Sequence, residues 1–266
     1  MATNRSITHP AARFTNKVAI VTGGAGGLGH QICLGIGAEG GKVAVFDTNS
    51  EAIEQAVAEL IAEGIEAVGH LVDVRDSATV TAAVGAVASY FGRIDILIAA
   101  AGGSLATPRD LADISPADLD LVIDVNVKGT FNCAQAVVPH LHNAGGGAIV
   151  TFSSIGGRST SPVTGVPYAA AKAAILGLTR RLAREVGPDG IRVNAVAPGL
   201  FLTGRLQGMF EELAEADRAE VLGGIPLGRM PELQECVDPV LFLASDQSSY
   251  ITGAVLDVNG GRFMAG

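Results

Sequence analysis

Lys17-Val-Ala-Ile-Val-Thr22-Gly23-Gly24-Ala25-Gly26-Gly27-Leu28-Gly29 is the stretch that decides how this chain folds. Lys17 to Val21 is a short β-branched run with the length and composition of a buried strand. The glycine cluster follows at once and opens a segment, Gly27 to Ala38, with helical spacing. Read from Gly24, the cluster matches G-x-G-x-x-G. A backbone that must turn sharply and approach a pyrophosphate has no room for Cβ atoms. The helix N-terminus behind it offers free N–H groups and partial positive charge to the anion.

The alternation continues outward. Lys42 to Phe46 reads as a second strand ending at Asp47, and Ser50 as the N-cap of a helix reaching about Ala62. Ala67 to Val72 is a third strand, Asp76 to Tyr90 a helix capped by Asp76, and Ile94 to Ala100 a fourth strand. Leu119 to His142 has helical spacing, as one helix or two joined pieces, and Gly145 to Gly147 stop it. Then come strand Ala148 to Phe152, helix Pro167 to Val186, strand Gly190 to Val196, a mixed stretch Phe201 to Leu222, helix Val237 to Ala244 and strand Ala254 to Val258. Strands alternating with helices predict an α/β fold: a three-layer, doubly wound (Rossmann) parallel sheet of about seven strands. No linker divides the chain, so residues 14–266 read as one domain behind a loose N-terminal arm, residues 1–13.

Bulk properties exclude other classes. Apolar residues make up 48% and charged residues 17% of the 266, which excludes disorder. The net charge of −9 disfavours nucleic acid and anionic membrane as partners. Three scattered cysteines, Cys33, Cys133 and Cys236, without C-x-x-C, support neither a metal site nor a disulfide framework. They read as buried free thiols of a reducing compartment. With no membrane-length apolar run and no signal-peptide core, cytoplasmic residence is the default expectation.

Two further groups carry chemistry. Asp47 ends the second strand eighteen residues after Gly29, where a carboxylate accepts from the ribose hydroxyls of NAD and repels the 2′-phosphate of NADP. The other reading, a helix cap, is already met by Ser50. Asp73, at the end of the third strand, is placed to reach the adenine or to make a plain turn. Tyr168 and Lys172 lie four residues apart near a helix start, on one face. A free phenol titrates near ~10, and a neighbouring ammonium favours its ionised form, so the pair suits acid–base work on an alcohol oxygen. Ser153 and Ser154 end the preceding strand, at the sheet edge where ligands of such folds sit; one serine suits the substrate oxygen, the other a turn.

These pieces, in this order, resemble the short-chain dehydrogenase/reductase family from about Asn16 to Phe263. The resemblance rests on Thr22-Gly23 through Gly27-Leu28-Gly29, Asp73-Val74, Asn126 in Asn-Val-Lys-Gly-Thr-Phe131, Ser154, Tyr168-x-x-x-Lys172 and Val193-Asn-Ala-Val-Ala-Pro-Gly199. Ser249-Tyr-Ile-Thr-Gly-Ala254 and Val258-Asn-Gly-Gly261 add to it. It implies a catalytic set of Asn126, Ser154, Tyr168 and Lys172. Ser154 would orient substrate, Lys172 would also bind the nicotinamide ribose, and Asn126 would hold a water linking Lys172 to solvent. From spacing alone Asn126 reads as a helix kink or a polar spot. The implied cofactor contacts are Gly23, Gly27, Leu28, Gly29, Asp47, Asp73, Val74, Ala99, Ala101, Tyr168, Lys172, Gly199 and Phe201, with Thr203 on the nicotinamide carboxamide. The family also implies a homotetramer. Ala99-Ala100-Ala101-Gly102 departs from the usual Asn-Asn-Ala-Gly, which bears on stability and local geometry more than on chemistry.

The expected activity is hydride transfer between NAD and an alcohol or ketone carbon, with a small-molecule substrate. Residues 200–222 are expected to form the substrate lid, with Phe201, Leu202, Leu206, Met209 and Phe210 as wall candidates and the stretch from Gly102 to Ile114 as the other rim. The rivals are a reductase of 3-oxoacyl thioesters and, from another class, a catalytically silent NAD-binding sensor or scaffold.

Overall fold

The computed structural model describes residues 12–160, 163–203, 208, 210, 212 and 214–265. Seven strands pair in parallel: β1 (Val18–Thr22), β2 (Lys42–Asp47), β3 (Ala67–Leu71), β4 (Ile96–Ala99), β5 (Gly147–Phe152), β6 (Ile191–Pro198) and β7 (Val255–Val258), in the order β3-β2-β1-β4-β5-β6-β7. The chain winds outward from β1 to β3, then crosses to β4 on the other side of β1. The strand ends therefore diverge between β1 and β4, which opens a crevice there.

Register sorts the side chains into two cores. Ile20 lies opposite Ala44 and Leu97, Leu97 opposite Ile149, and Ile149 opposite Val193. This row packs under helices α3 (Ser77–Phe91), α5 (Gly129–Asn143) and α6 (Val166–Val186). One residue along, Val21, Val45, Ile98 and Val150 form the row that meets α1 (Gly27–Ala38), α2 (Ser50–Ala62) and, near the C-terminus, a helix at Gln234–Ala244. Alternate residues of each central strand thus face opposite helical layers, and the strands read as continuous apolar runs because both faces are covered.

The remaining helices are α4 (Pro116–Ile123), α7 (Glu215–Gly223) and α8, the helix at Gln234–Ala244. α4 starts with a capping box between Ser115 and Asp118 and runs through a π-turn, Asp124–Lys128, into α5. The expected helix Leu119 to His142 is thus two joined pieces, and the joint is a π-turn at Asn126. Asp76 caps α3 as expected, accepting from the N–H groups of Ala78 and Thr79.

Two expectations need correction. Asn49, not Ser50, caps α2: its side chain accepts from Ala52 N–H, and Ser50 is the first helical residue. The arm does not extend to residue 13, because Arg13 is clasped by Glu39 and Phe14 is buried in the core. The structure of residues 1–11 lies outside the described residues. The three cysteines are free and buried, and their thiols are pushed up by burial. Among the described residues there is no His, Cys, Asp or Glu cluster able to hold a metal, and no helix is long and apolar enough to cross a membrane.

At the N-terminal edge of the sheet Asp95, 2% exposed, accepts from the Val18 N–H and the Arg93 guanidinium and lies 3.7 Å from the Lys17 ammonium. Removing it leaves a buried donor and a partly desolvated cation without their acceptor. Asp95→Ala is expected to cost about 3 kcal/mol of stability, read as a lowered urea midpoint at unchanged slope.

Candidate active site

A cleft of about 670 Å³ runs along the C-terminal ends of β1 to β4, where the crevice opens. Its floor is the turn Gly23–Gly29. α1 begins at Gly27 with no side-chain cap from Gly26, so its first N–H groups are left for a ligand. A Cβ at Gly29 would lie 2.1 Å from the Gly23 carbonyl oxygen, so any side chain there would break the turn. Gly23, Gly27, Leu28 and Gly29 all line the cleft.

Asp47 sits beside this turn. Its carboxylate accepts from the Ala25 N–H (3.2 Å) and the Thr48 N–H (2.8 Å), fixing it at the cleft wall. Since Asn49 performs the capping, Asp47 is spared that task. Asp73 lines the cleft too, but its side chain is held by Arg75, whose backbone N–H and guanidinium both donate to it. These bonds keep the Asp73 carboxyl below its ordinary pKa. Arg75 itself borders the cleft, and the spacing Asp73-Val74-Arg75 was its only sequence signal.

Ala101 lines the cleft, whereas Ala99 is buried in β4, facing the α3 and α5 layer. The Thr22 hydroxyl ties the ends of β1 and β4 together. It accepts from the Ala101 N–H at 3.0 Å and reaches the Ile98 carbonyl at 3.5 Å. Leu105, also on the cleft wall, and Ala106 both hold left-handed backbone (φ 57° and 59°), a strained pair at the cleft mouth. Thr203 lies over the turn, 3.3 Å from where a Gly27 Cβ would be. Gly199 and Phe201 instead line a neighbouring cavity. Of the lid candidates, Leu206 and Met209 fall outside the described residues; Leu200 and Phe210 pack against Val163 and Val221.

Ser153, Ser154, Tyr168 and Lys172 lie where β5 meets α6. Gly157 lets the turn after β5 lie directly on α6: a Cβ there would stand 2.5 Å from the Lys172 carbonyl carbon. Ser153 donates to the Lys172 carbonyl (2.7 Å), and the Lys172 ammonium donates to the Phe152 carbonyl (2.9 Å). Ser153 therefore has the structural task. The Ser154 hydroxyl accepts from the Gly156 N–H. A Cβ at Gly156 would lie 3.7 Å from both the Ser154 hydroxyl and the Tyr168 ring, so both border the space over Gly156. The Lys172 ammonium is 5.5 Å from the Tyr168 ring centre.

Asn126, in the π-turn, is buried. Its amide donates to the Gly103 and Val122 carbonyls and its oxygen accepts from the Gly103 N–H. The side chain thus clamps the loop after β4. Gly102 (φ 151°) brings that loop in so closely that a Cβ would lie 2.4 Å from the Asn126 oxygen and 3.3 Å from the Lys172 ammonium. No role was read for Gly102 or Gly157 from sequence, because only the approach of distant groups, side chains at Gly102 and backbone at Gly157, makes them necessary.

The chain is similar to known proteins over most of its length. The family model described as enoyl-(acyl carrier protein) reductase matches residues 23–262. A 3alpha-hydroxysteroid dehydrogenase of Mediterraneibacter gnavus is 39% identical over 92% of this chain and 96% of its own. A 3-oxoacyl-(acyl-carrier-protein) reductase of Thermotoga maritima is 39% identical over 94% of this chain and 98% of its own. The crystal structure of an NAD-bound xylitol dehydrogenase superposes with a TM-score of 0.88 at 31% identity, covering 94% of this chain and all of that one, 100%.

Burial lowers Lys172 from 10.5 to about 8. Between these values the unfolded chain binds more protons than the native protein, so stability rises with pH across that window. Below 8 the native protein bears the full cost of a buried charge. Lys172→Met has no such dependence. In urea unfolding at stepped pH, the wild type is expected to gain on the variant by up to about 3 kcal/mol between pH 8 and 10.5.

Proposed function

The chain belongs to the short-chain dehydrogenase/reductase family of oxidoreductases, and we propose that it interconverts a secondary alcohol and a ketone, with NAD as hydride partner and Tyr168 as general acid and base. The observation that carries this reading is that the Lys172 ammonium, on the helix that also bears Tyr168, bonds to the Phe152 carbonyl and lies beside Gly102, two residues that line the cleft whose floor is the glycine turn and whose wall bears Asp47. The cleft fits a dinucleotide: uncapped N–H groups for the pyrophosphate, a turn that admits no Cβ at Gly29, and a fixed carboxylate for ribose hydroxyls. When bound, NAD supplies the acceptor or donor of the hydride.

The chain's own residues do the rest. Ser154 donates a hydrogen bond to the substrate oxygen and sets it against the Tyr168 hydroxyl. Tyr168 takes the proton from the alcohol oxygen in oxidation and returns it to the ketone oxygen in reduction. The Lys172 ammonium favours the ionised phenol by its charge. Asn126 acts through the loop it clamps, holding Gly102 and Gly103 beside Lys172. Asp47 supports NAD over NADP, because a 2′-phosphate there meets a carboxylate rather than a cation. The homotetramer implied by the family is carried forward as part of the proposal. It is supported by apolar side chains left exposed on α5 and α6 (Phe131, Val166) and on and beside β7 (Leu256, Tyr250).

The relatives named as 3-oxoacyl reductases favour thioester reduction as a second reading. NADH formation across a panel of secondary alcohols, sugars and polyols, with 3-oxoacyl thioesters run in reverse, separates the two. Tight NAD binding with no turnover on any of them would favour the silent sensor. Tyr168→Phe is expected to lose at least about a thousandfold in kcat while keeping NADH affinity; undiminished turnover refutes the assignment. Asp47→Ala is expected to raise KM for NAD at least about tenfold and to narrow the preference over NADP, measured as the ratio of kcat/KM values.

A further inference from the structure

The glycine pair Gly260-Gly261, which the activity above does not use, builds a second cavity. Both residues have left-handed backbone (φ 64° and 85°), and a Cβ on Gly260 would lie 2.7 Å from the Ile225 side chain. The C-terminal tail therefore lies flat on the segment after α7. Asn259 locks it there: its side-chain oxygen accepts from the Gly261 N–H and its amide donates to the Phe263 carbonyl. Between tail and α7 is a cavity of about 270 Å³, walled by Leu200, Phe201, Val221, Ile225 and Val258.

Four charged side chains line this cavity. Arg229 is joined to Glu235 by two bonds, and one oxygen of Asp257 faces Arg158 at 3.3 Å while its other, buried oxygen has no partner among the described residues. Arg262 is the fourth. It is half-buried, it lines the cavity, and its guanidinium has no hydrogen-bond or ion-pair partner among the described residues. A half-buried guanidinium beside apolar walls calls for a planar anion that accepts from its fork while its body covers hydrocarbon. In a chain of net charge −9, such a group is the local exception that admits an anion.

We propose that this cavity binds a small monocarboxylate with a short apolar body, the carboxylate on Arg262 and the hydrocarbon against Leu200, Val221 and Ile225. The ligand is either a separate acid or the carboxylate end of the substrate itself. The site stands independently of the cofactor choice, because its binding can be read without turnover.

Hexanoate is the probe, titrated calorimetrically into the intact protein, with hexanamide as its uncharged counterpart and inorganic phosphate as a bare anion. Hexanoate is expected to bind at least about tenfold more tightly than hexanamide. Arg262→Gln is expected to lose at least about tenfold for hexanoate, and Arg262→Lys to keep part of the affinity. Unchanged NADH affinity in both variants shows that the fold is intact. Equal hexanoate binding by wild type and Arg262→Gln, equal binding of hexanamide, or phosphate binding as tightly as hexanoate would each overturn the proposal. A panel of hydroxyhexanoates with NAD tells the sources apart. NADH formation with a KM raised by Arg262→Gln makes the carboxylate the substrate's own; binding without turnover makes it a separate ligand.

Discussion

The burial of one ammonium at the seam between β5 and α6 is the constraint around which the site is arranged. Lys172 is 5% exposed, and a charge there needs acceptors. The Phe152 carbonyl, at the end of β5, supplies one. The geometry that brings it within reach needs a turn with no side chain at Gly157, a serine returning a hydrogen bond to the helix, and a loop after β4 with no side chain at Gly102. Each of these features looks local, yet each is answered by atoms from another part of the chain. The desolvation that costs stability is also what makes the charge effective on a neighbouring phenol, since a water-exposed ammonium is screened.

The sheet supplies the second half of the arrangement. Because β1 has β2 on one side and β4 on the other, the strand ends part where the glycine turn emerges. The same topology puts Asp47 beside that turn, where the Ala25 and Thr48 N–H groups fix its carboxylate. The Thr22 hydroxyl spans the gap between β1 and the loop after β4. The π-turn at Asn126 is of the same kind: one extra residue in the helix turns a polar side chain inward to hold the opposite rim.

Much of this was legible in the sequence because it depends on short-range pattern. The alternation of apolar runs and helical spacing gave the strand sequence to within one or two residues at most ends, and Tyr168 and Lys172 share a face by spacing alone. Local readings failed where two neighbours competed for one task. Asn49 and Ser50 are both good caps, and the backbone put Asn49 in the capping position. Arg13 lies in a polar stretch, but it is clasped by Glu39 on the far end of α1. Asp73 was read as reaching the adenine or making a plain turn, and the bond from Arg75 two residues on was not foreseen.

By itself the sequence determined the fold class, the glycine turn between β1 and α1, the acidic end of β2 and the Tyr–Lys pair. These follow from periodicity and from chemistry within a few residues. The tertiary structure alone decided that Ser153 is tied to the Lys172 carbonyl, why Gly102 and Gly157 have no room for a side chain, and that Arg262 has no partner among the described residues at a cavity with apolar walls. Those properties arise between segments tens of residues apart, and the distance separating two backbones in space is not written in the spacing along either one.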